Sequence, residues 1–148
     1  MKARIVYASM TGNDEDIAEI LEEDLQDAGF DVTTSDISFT DPSDYLTSDL
    51  CVLVTYTYGE GVMTDELKDF YDGLTKLDLA NKPFAVMGSG DRVYGTAYCQ
   101  NVFDFEKLFK QLGAVEVIAP VTVDQSPDEA AIARIDAAAE TISHKLHG

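Results

Sequence analysis

Cationic residues are scarce in this chain: ten Lys and Arg stand against 28 Asp and Glu, a formal charge of −18. Neutralising a nucleic-acid backbone takes Lys and Arg, so non-specific nucleic-acid binding is excluded. Basic protein surfaces are the natural partners, with association that slows as salt rises; solubility or adaptation to salt explains the same charge. Histidine is nearly absent. His144 and His147 lie near the C-terminus, read as surface residues, and no Cys/His cluster has metal-ligand spacing. Cys51 and Cys99 form no CxxC pair, and Cys51 lies in an apolar run as a small buried hydrophobe, so no structural disulfide is expected. No apolar stretch is long enough to span a membrane. Met1-Lys2-Ala3-Arg4 leads straight into a strand pattern rather than a signal peptide, which makes a soluble cytoplasmic protein the expectation; a monomer is expected as well.

Apolar runs and helical patterns alternate along the chain, with no repeat, low-complexity tract or linker between them. Strands are expected near residues 3–8, 31–35, 50–55, 84–88 and 115–123, the last uninterrupted. Helices are expected near residues 13–28, 65–74, 101–112 and 127–146. Val102, Phe105, Leu108, Phe109 and Leu112 mark the third helix by their 3.6-residue period. Gly29 and Gly113 mark the ends of the first and third. Ser126-Pro127-Asp128-Glu129 reads as a capping box opening the last helix, with Ser126 as the cap. Residues 38–47 read as a connection with at most a short helical turn. Leu50-Cys51-Val52-Leu53-Val54 is apolar at every position, which demands burial on both faces, as in a parallel sheet. The 148 residues therefore read as one doubly wound α/β domain spanning 1–148, with ligands at the carboxyl ends of its strands.

Three loops fall at those strand ends. The first, Ser9-Met10-Thr11-Gly12-Asn13-Asp14-Glu15, joins a strand to a helix start, so backbone N–H groups and the helix dipole converge where an anion binds. It lacks the Lys of a Walker loop and the three glycines of a dinucleotide fingerprint. An ordinary helix capped by Thr11 or Asn13 explains the same residues. The second loop, Thr55-Tyr56-Thr57-Tyr58-Gly59-Glu60-Gly61, and the third, Gly88-Ser89-Gly90-Asp91-Arg92-Val93-Tyr94-Gly95, offer aromatic faces between glycines that allow close backbone approach. Tyr56 also reads as a cap on the core.

Ser-x-Thr-Gly-Asn-x-Glu, Thr-Tyr-Gly-x-Gly and Gly-Ser-Gly-Asp-x-x-Tyr, in this order along an alternating strand–helix chain, resemble the three cofactor loops of the flavodoxins. The resemblance implies a five-stranded parallel sheet in the order 2-1-3-4-5 between two helical layers, of the short-chain branch. It implies FMN as cofactor, with its phosphate in the loop carrying Ser9, Met10, Thr11, Gly12 and Asn13. Asp14 departs from the family pattern, where a Thr supplies a hydroxyl; a carboxylate near a phosphate at about 8 Å would cost roughly 1 kcal/mol at an effective dielectric constant of about 40. The same residue interacts favourably with the helix dipole. By the same resemblance Tyr94 stacks on the outer face of the flavin ring and Tyr58 flanks the inner face. Tyr56, Thr57, Gly59, Ser89, Gly90 and Asp91 surround its edge, with Tyr98 and Cys99 just beyond. The peptide after Gly59 turns over as the flavin gains an electron, and Glu60, Asp65, Glu66 and Asp91 disfavour further negative charge.

The function so implied is a low-potential electron carrier rather than an enzyme. A flavodoxin reductase or oxidoreductase would be the donor, and reductive enzymes the acceptors. Alternatives are a specialised partner activating a metalloenzyme such as ribonucleotide reductase, a small flavin-dependent oxidoreductase, and a cofactor-free descendant. A response-regulator receiver is excluded, because Thr55 and Ser9-Met10 stand where that fold needs acids.

Overall fold

A computed structural model describes residues 1–59 and 61–147. The chain runs through β1 (Lys2–Tyr7), α1 (Asn13–Asp27), β2 (Asp31–Asp36), β3 (Leu50–Tyr56), α2 (Asp65–Leu74), β4 (Pro83–Gly90), α3 (Gln100–Gln111), β5 (Val115–Glu116), β6 (Val121–Asp124) and α4 (Glu129–His147). The strands form one parallel sheet in the order β2-β1-β3-β4-β5, with β6 also pairing β4. The connection between β2 and β3 carries two 3₁₀ turns, Ile37–Phe39 and Pro42–Thr47. The second turn buries Tyr45, whose hydroxyl donates to the Val52 carbonyl at 2.7 Å.

Every residue of β3 is buried, because helices cover the sheet on both sides. The two-residue period of the strand sorts them. Leu50, Val52 and Val54 join Ile17, Leu21 and Leu25 of α1 and Ile135 and Ile142 of α4 in one core layer. Cys51 and Leu53 join Leu67 and Phe70 of α2 and Val102, Phe105 and Phe109 of α3 in the other. Removing each such aliphatic side chain from water is worth about 1.5–3 kcal/mol. Cys51 is buried, as expected, and so is Cys99; both are free thiols, whereas His144 and His147 are exposed.

Two expectations are corrected. The last strand is not continuous. Pro83 and Phe84 face Val115 and Glu116, but Met87 faces Val121, so residues 117–120 stand opposite only Ala85 and Val86. Pro120 ends this bulge; it has no N–H to give to the ladder. The interruption is four residues long and leaves β6 in register to the end of β4. The last helix, in turn, is capped by Asp128 rather than Ser126. The Asp128 carboxylate accepts from the Ala131 N–H at 2.8 Å, and the helix begins at Glu129. As expected, α1 and α3 end where Gly29 and Gly113 turn left-handed.

Gly88 in β4 is a close-approach residue. A Cβ there would lie 1.9 Å from the Thr55 carbonyl oxygen and 2.6 Å from Val102 Cγ2. Gly88→Ala is expected to destabilise the fold by about 2 kcal/mol or more, read as a lower urea midpoint.

Between α1 and α4, Asp24 faces Asp136. Asp24 Oδ2 is buried without a donor, and only a shared proton can satisfy two facing carboxyl groups. Burial, then Asp136, push the Asp24 carboxyl up to about 7. The folded state thus holds a proton that the unfolded chain releases near pH 4. This contribution to stability is complete below that value and is lost as pH rises through about 7. Asp136→Asn is expected to raise the Tm clearly at pH 8 and little at pH 5, checked by thermal melts at both.

Candidate functional site

The first core strand of one half, β1, and that of the other, β3, lie side by side while their connections leave in opposite directions. That switch point opens a crevice at the carboxyl ends of the strands. Backbone bonds continue past the strands and pin the loop roots. Ala8 N donates to Val54 O at 2.9 Å, Thr57 N to Ser89 O at 3.0 Å, and Gln125 N to Gly90 O at 2.7 Å. A cleft of about 420 Å³ opens there, lined by Met10, Thr11, Asn13, Tyr56, Thr57, Tyr58, Gly59, Ser89, Gly90, Asp91, Tyr94 and Gln125. This volume falls within the usual range for small-molecule sites.

The first wall is the start of α1. Gly12 caps it with φ 89°, a left-handed conformation that glycine adopts without a Cβ penalty. Neither Thr11 nor Asn13 caps the helix through its side chain. Ser9 Oγ instead accepts from the Gly12 N–H at 2.8 Å and holds the turn. The first intrahelical bond runs from Asp16 N to Gly12 O, so the N–H groups of Asn13, Asp14 and Glu15 precede it and have no helical acceptor. No Lys or Arg lines the cleft among the described residues. An anion here would be held by peptide dipoles.

The other walls carry the aromatics. Tyr58 is 60% exposed and Tyr94 44% exposed, large faces without a protein partner to bury them. Tyr56 differs. It is buried, and its hydroxyl meets Thr64 Oγ1 at 2.6 Å and donates to Glu66 Oε2 at 3.0 Å, so it caps the core while bordering the cleft. Asp91 turns its carboxylate to the Val93 N–H at 3.0 Å.

Five of the expected residues stand behind the lining. Ser9 and Gly12 shape the turn. Tyr98 lies under the Arg92 guanidinium, 4.9 Å from the ring centroid. Cys99 is buried with φ 54°, its sulfur 3.8 Å from the Gly88 carbonyl, and burial pushes its thiol up to about 11. Asp14 does not stand in the mouth of the site. It is 1% exposed and accepts the Ser89 N–H at 3.0 Å. Of the acids expected near the ring, Glu66 is engaged by Tyr56 and Ser38, and Glu60 lies outside the described residues, as does the Gly59–Glu60 peptide.

Two residues with a place in the site escaped the sequence reading. Gln125 lines the cleft from the end of β6 with φ 60°; only its position after the final strand signals it. Asn101, fully buried, donates from its backbone to Thr57 Oγ1 at 3.0 Å and from Nδ2 to the Tyr56 carbonyl at 3.3 Å, fastening the second loop. A polar residue on the apolar face of α3 was its signal.

The profile of the Flavodoxin family matches residues 5–137. The chain belongs to the flavodoxin family. It is 33% identical over 127 residues to probable flavodoxin 1 of Bacillus subtilis, covering 86% of this chain and 80% of that one. It is 31% identical over 128 residues to a Clostridium beijerinckii flavodoxin, covering 86% and 89%. Among solved structures, a Streptococcus pneumonia TIGR4 flavodoxin superposes with a TM-score of 0.94 at 42% identity, over 98% of this chain and 99% of that one. A short-chain flavodoxin associated with a PDU bacterial microcompartment gives 0.94 at 40%, over 98% of each. The flavodoxin fold, with strand order 2-1-3-4-5, is the one this chain adopts. Flavodoxins bind FMN and carry electrons rather than catalyse a reaction of their own, and this chain is an FMN-dependent electron-transfer protein. The residues present fit that group: unpaired helix-start N–H groups for a phosphate, and two exposed tyrosine faces for a planar ring.

Losing one stacking face costs about 1–2 kcal/mol. Tyr94→Ala is therefore expected to weaken FMN binding about tenfold, read from quenching of flavin fluorescence.

Proposed function

We propose that FMN lies in the cleft at the ends of β1, β3 and β4, and that the chain passes single electrons between redox proteins at low potential. The observation that carries this reading is the joining, in one cleft, of a cation-free helix start with two exposed tyrosines. The N–H groups of Asn13, Asp14 and Glu15 hold the phosphate, helped by the Thr11 hydroxyl. Tyr58 and Tyr94 cover the ring faces and exclude water, while backbone groups of Thr57, Gly59 and Gly90 meet its edge. FMN, when bound, supplies the one-electron chemistry. Apolar cover and an acidic surround both penalise added negative charge, which lowers the potential of the last electron.

Docking follows from the same surface. Met10, which lines the cleft with the two tyrosines, stands 56% exposed, and Val62 and Val93, close in sequence to Tyr58 and Tyr94, 73% and 77%, apolar contact surface on a molecule of charge −18. A basic partner surface complements it. This chain also matches 34% over 127 residues of a Mannheimia succiniciproducens sulfite reductase [NADPH] flavoprotein alpha-component, 84% of this chain but 21% of that protein. Such relatives support redox proteins as partners. No described helix is long and apolar enough to cross a membrane.

Reductive titration of the purified protein loaded with FMN tests the reading. One FMN per chain and a most negative midpoint well below that of free FMN support it; no FMN uptake overturns it. Electron transfer to a basic c-type cytochrome is expected to slow severalfold between low and about 0.5 M salt, and a rate indifferent to salt would remove the electrostatic docking.

A further inference from the structure

Asp14 occupies the first turn of α1, one residue after Asn13, yet its side chain is 1% exposed. Its Oδ1 accepts the backbone N–H of Ser89, 75 residues away on β4, at 3.0 Å. Ser89 itself lines the cleft. The carboxyl group therefore sits directly behind the cleft wall, hydrogen-bonded to it. No cation pairs with it among the described residues. The ionisable groups that face it are Tyr56 from the end of β3 and Cys99 from the approach to α3, both neutral acids. Its helix neighbours Glu15 and Asp16 are exposed. A buried carboxylate with one N–H donor and no counter-charge is held at high cost. Burial outweighs the Ser89 hydrogen bonds and pushes the carboxyl up to about 7.

We propose that Asp14 makes FMN affinity depend on a proton: the neutral acid is the form that admits the phosphate at the start of α1, and binding of the phosphate draws a proton onto Asp14. This rests on the reading of the cleft as the FMN site. A phosphate dianion and an ionised Asp14 would repel across the thin wall at Ser89 and compete for the dipole of one helix start. The neutral acid relieves both conflicts. Its carbonyl oxygen still accepts from Ser89 N–H, and its O–H becomes a donor. Riboflavin presents the same ring without the phosphate, so its binding is not linked to this proton.

The test is to titrate the apoprotein with FMN and with riboflavin by fluorescence quenching at pH 7, 8 and 9, where the phosphate, with a second pKa near about 6, is already a dianion. The expected result is an FMN Kd that rises about tenfold from pH 7 to 9, with the riboflavin Kd changing less than about twofold. Asp14→Asn, which keeps the acceptor for Ser89 N–H, is expected to abolish the FMN slope; Asp14→Ser serves if the Asn variant fails to fold. Addition of FMN to wild type at pH 8 in weak buffer is expected to take up a proton, and addition of riboflavin to take up none. An FMN slope that persists in both variants, or that riboflavin shares, overturns the proposal and leaves the FMN site standing. Absence of binding by either flavin at every pH overturns the site assignment along with it.

Discussion

The double-sided burial of β3 is the constraint on which the molecule depends. A strand apolar from Leu50 to Val54 has no face there to give to water, so α1 and α4 must cover one side and α2 and α3 the other. With β1 on one edge of β3 and β4 on the other, the ends of these three strands are forced into one place. The ladder bonds that run on past them, at Ala8, Thr57 and Gln125, transmit the rigidity of the core to the loops. The cleft is thus a consequence of sheet order, and its walls are stiff because their roots are hydrogen-bonded as strands are. Gly88 shows how little slack remains, since no Cβ fits between β4 and the Thr55 carbonyl.

Charge is organised with equal economy. A chain of −18 that holds a phosphate cannot do so by attraction at a distance. In the site proposed here the phosphate meets unpaired N–H groups at short range, where oriented dipoles outweigh a diffuse unfavourable field. Three carboxyl groups, one buried and two half-buried, hold their protons to higher pH than free acids do. Asp14 lies behind Ser89, Asp24 against Asp136, and Glu116 near Glu106, where burial first and the neighbouring carboxylate second push it up to about 7 despite Lys110 at 3.6 Å. Near neutral pH the effective charge of the folded chain is therefore smaller in magnitude than the formal count.

Most of the architecture was legible because its signals are periodic and local. The α1 stripe Ile17, Ala18, Leu21 and Leu25, the α3 stripe through Phe105 and Phe109, and the glycines that end both helices each announce their element. The second and third loops were legible because glycine and tyrosine alternate in them at strand ends, and the first because a hydroxyl-bearing turn at Gly12 joins a strand to a helix start. The misplaced details share one cause. Ser126 and Asp128 are equally able to cap a helix, and the sequence pattern does not choose between them. The last strand read as continuous because Val117 and Ile118 are apolar; they are buried, but in a bulge before Pro120 rather than in a ladder. Asp14 extends the buried stripe of α1 by one turn, a placement visible only once burial was known.

The sequence by itself determined the element order, the two-sided core strand, the loop chemistry and the family, since each is written in residues close together in the chain. Tertiary structure decided which of those residues face the cleft. Gln125 entered the wall and Asn101 anchored the second loop from helix α3, because parallel strand ends bring together segments tens of residues apart. It also decided the state of Asp14. Side-chain direction and burial are properties of the packed whole, and a carboxylate that looks like a surface helix-start charge in the sequence becomes, behind Ser89, a buried acid that keeps its proton up to about pH 7.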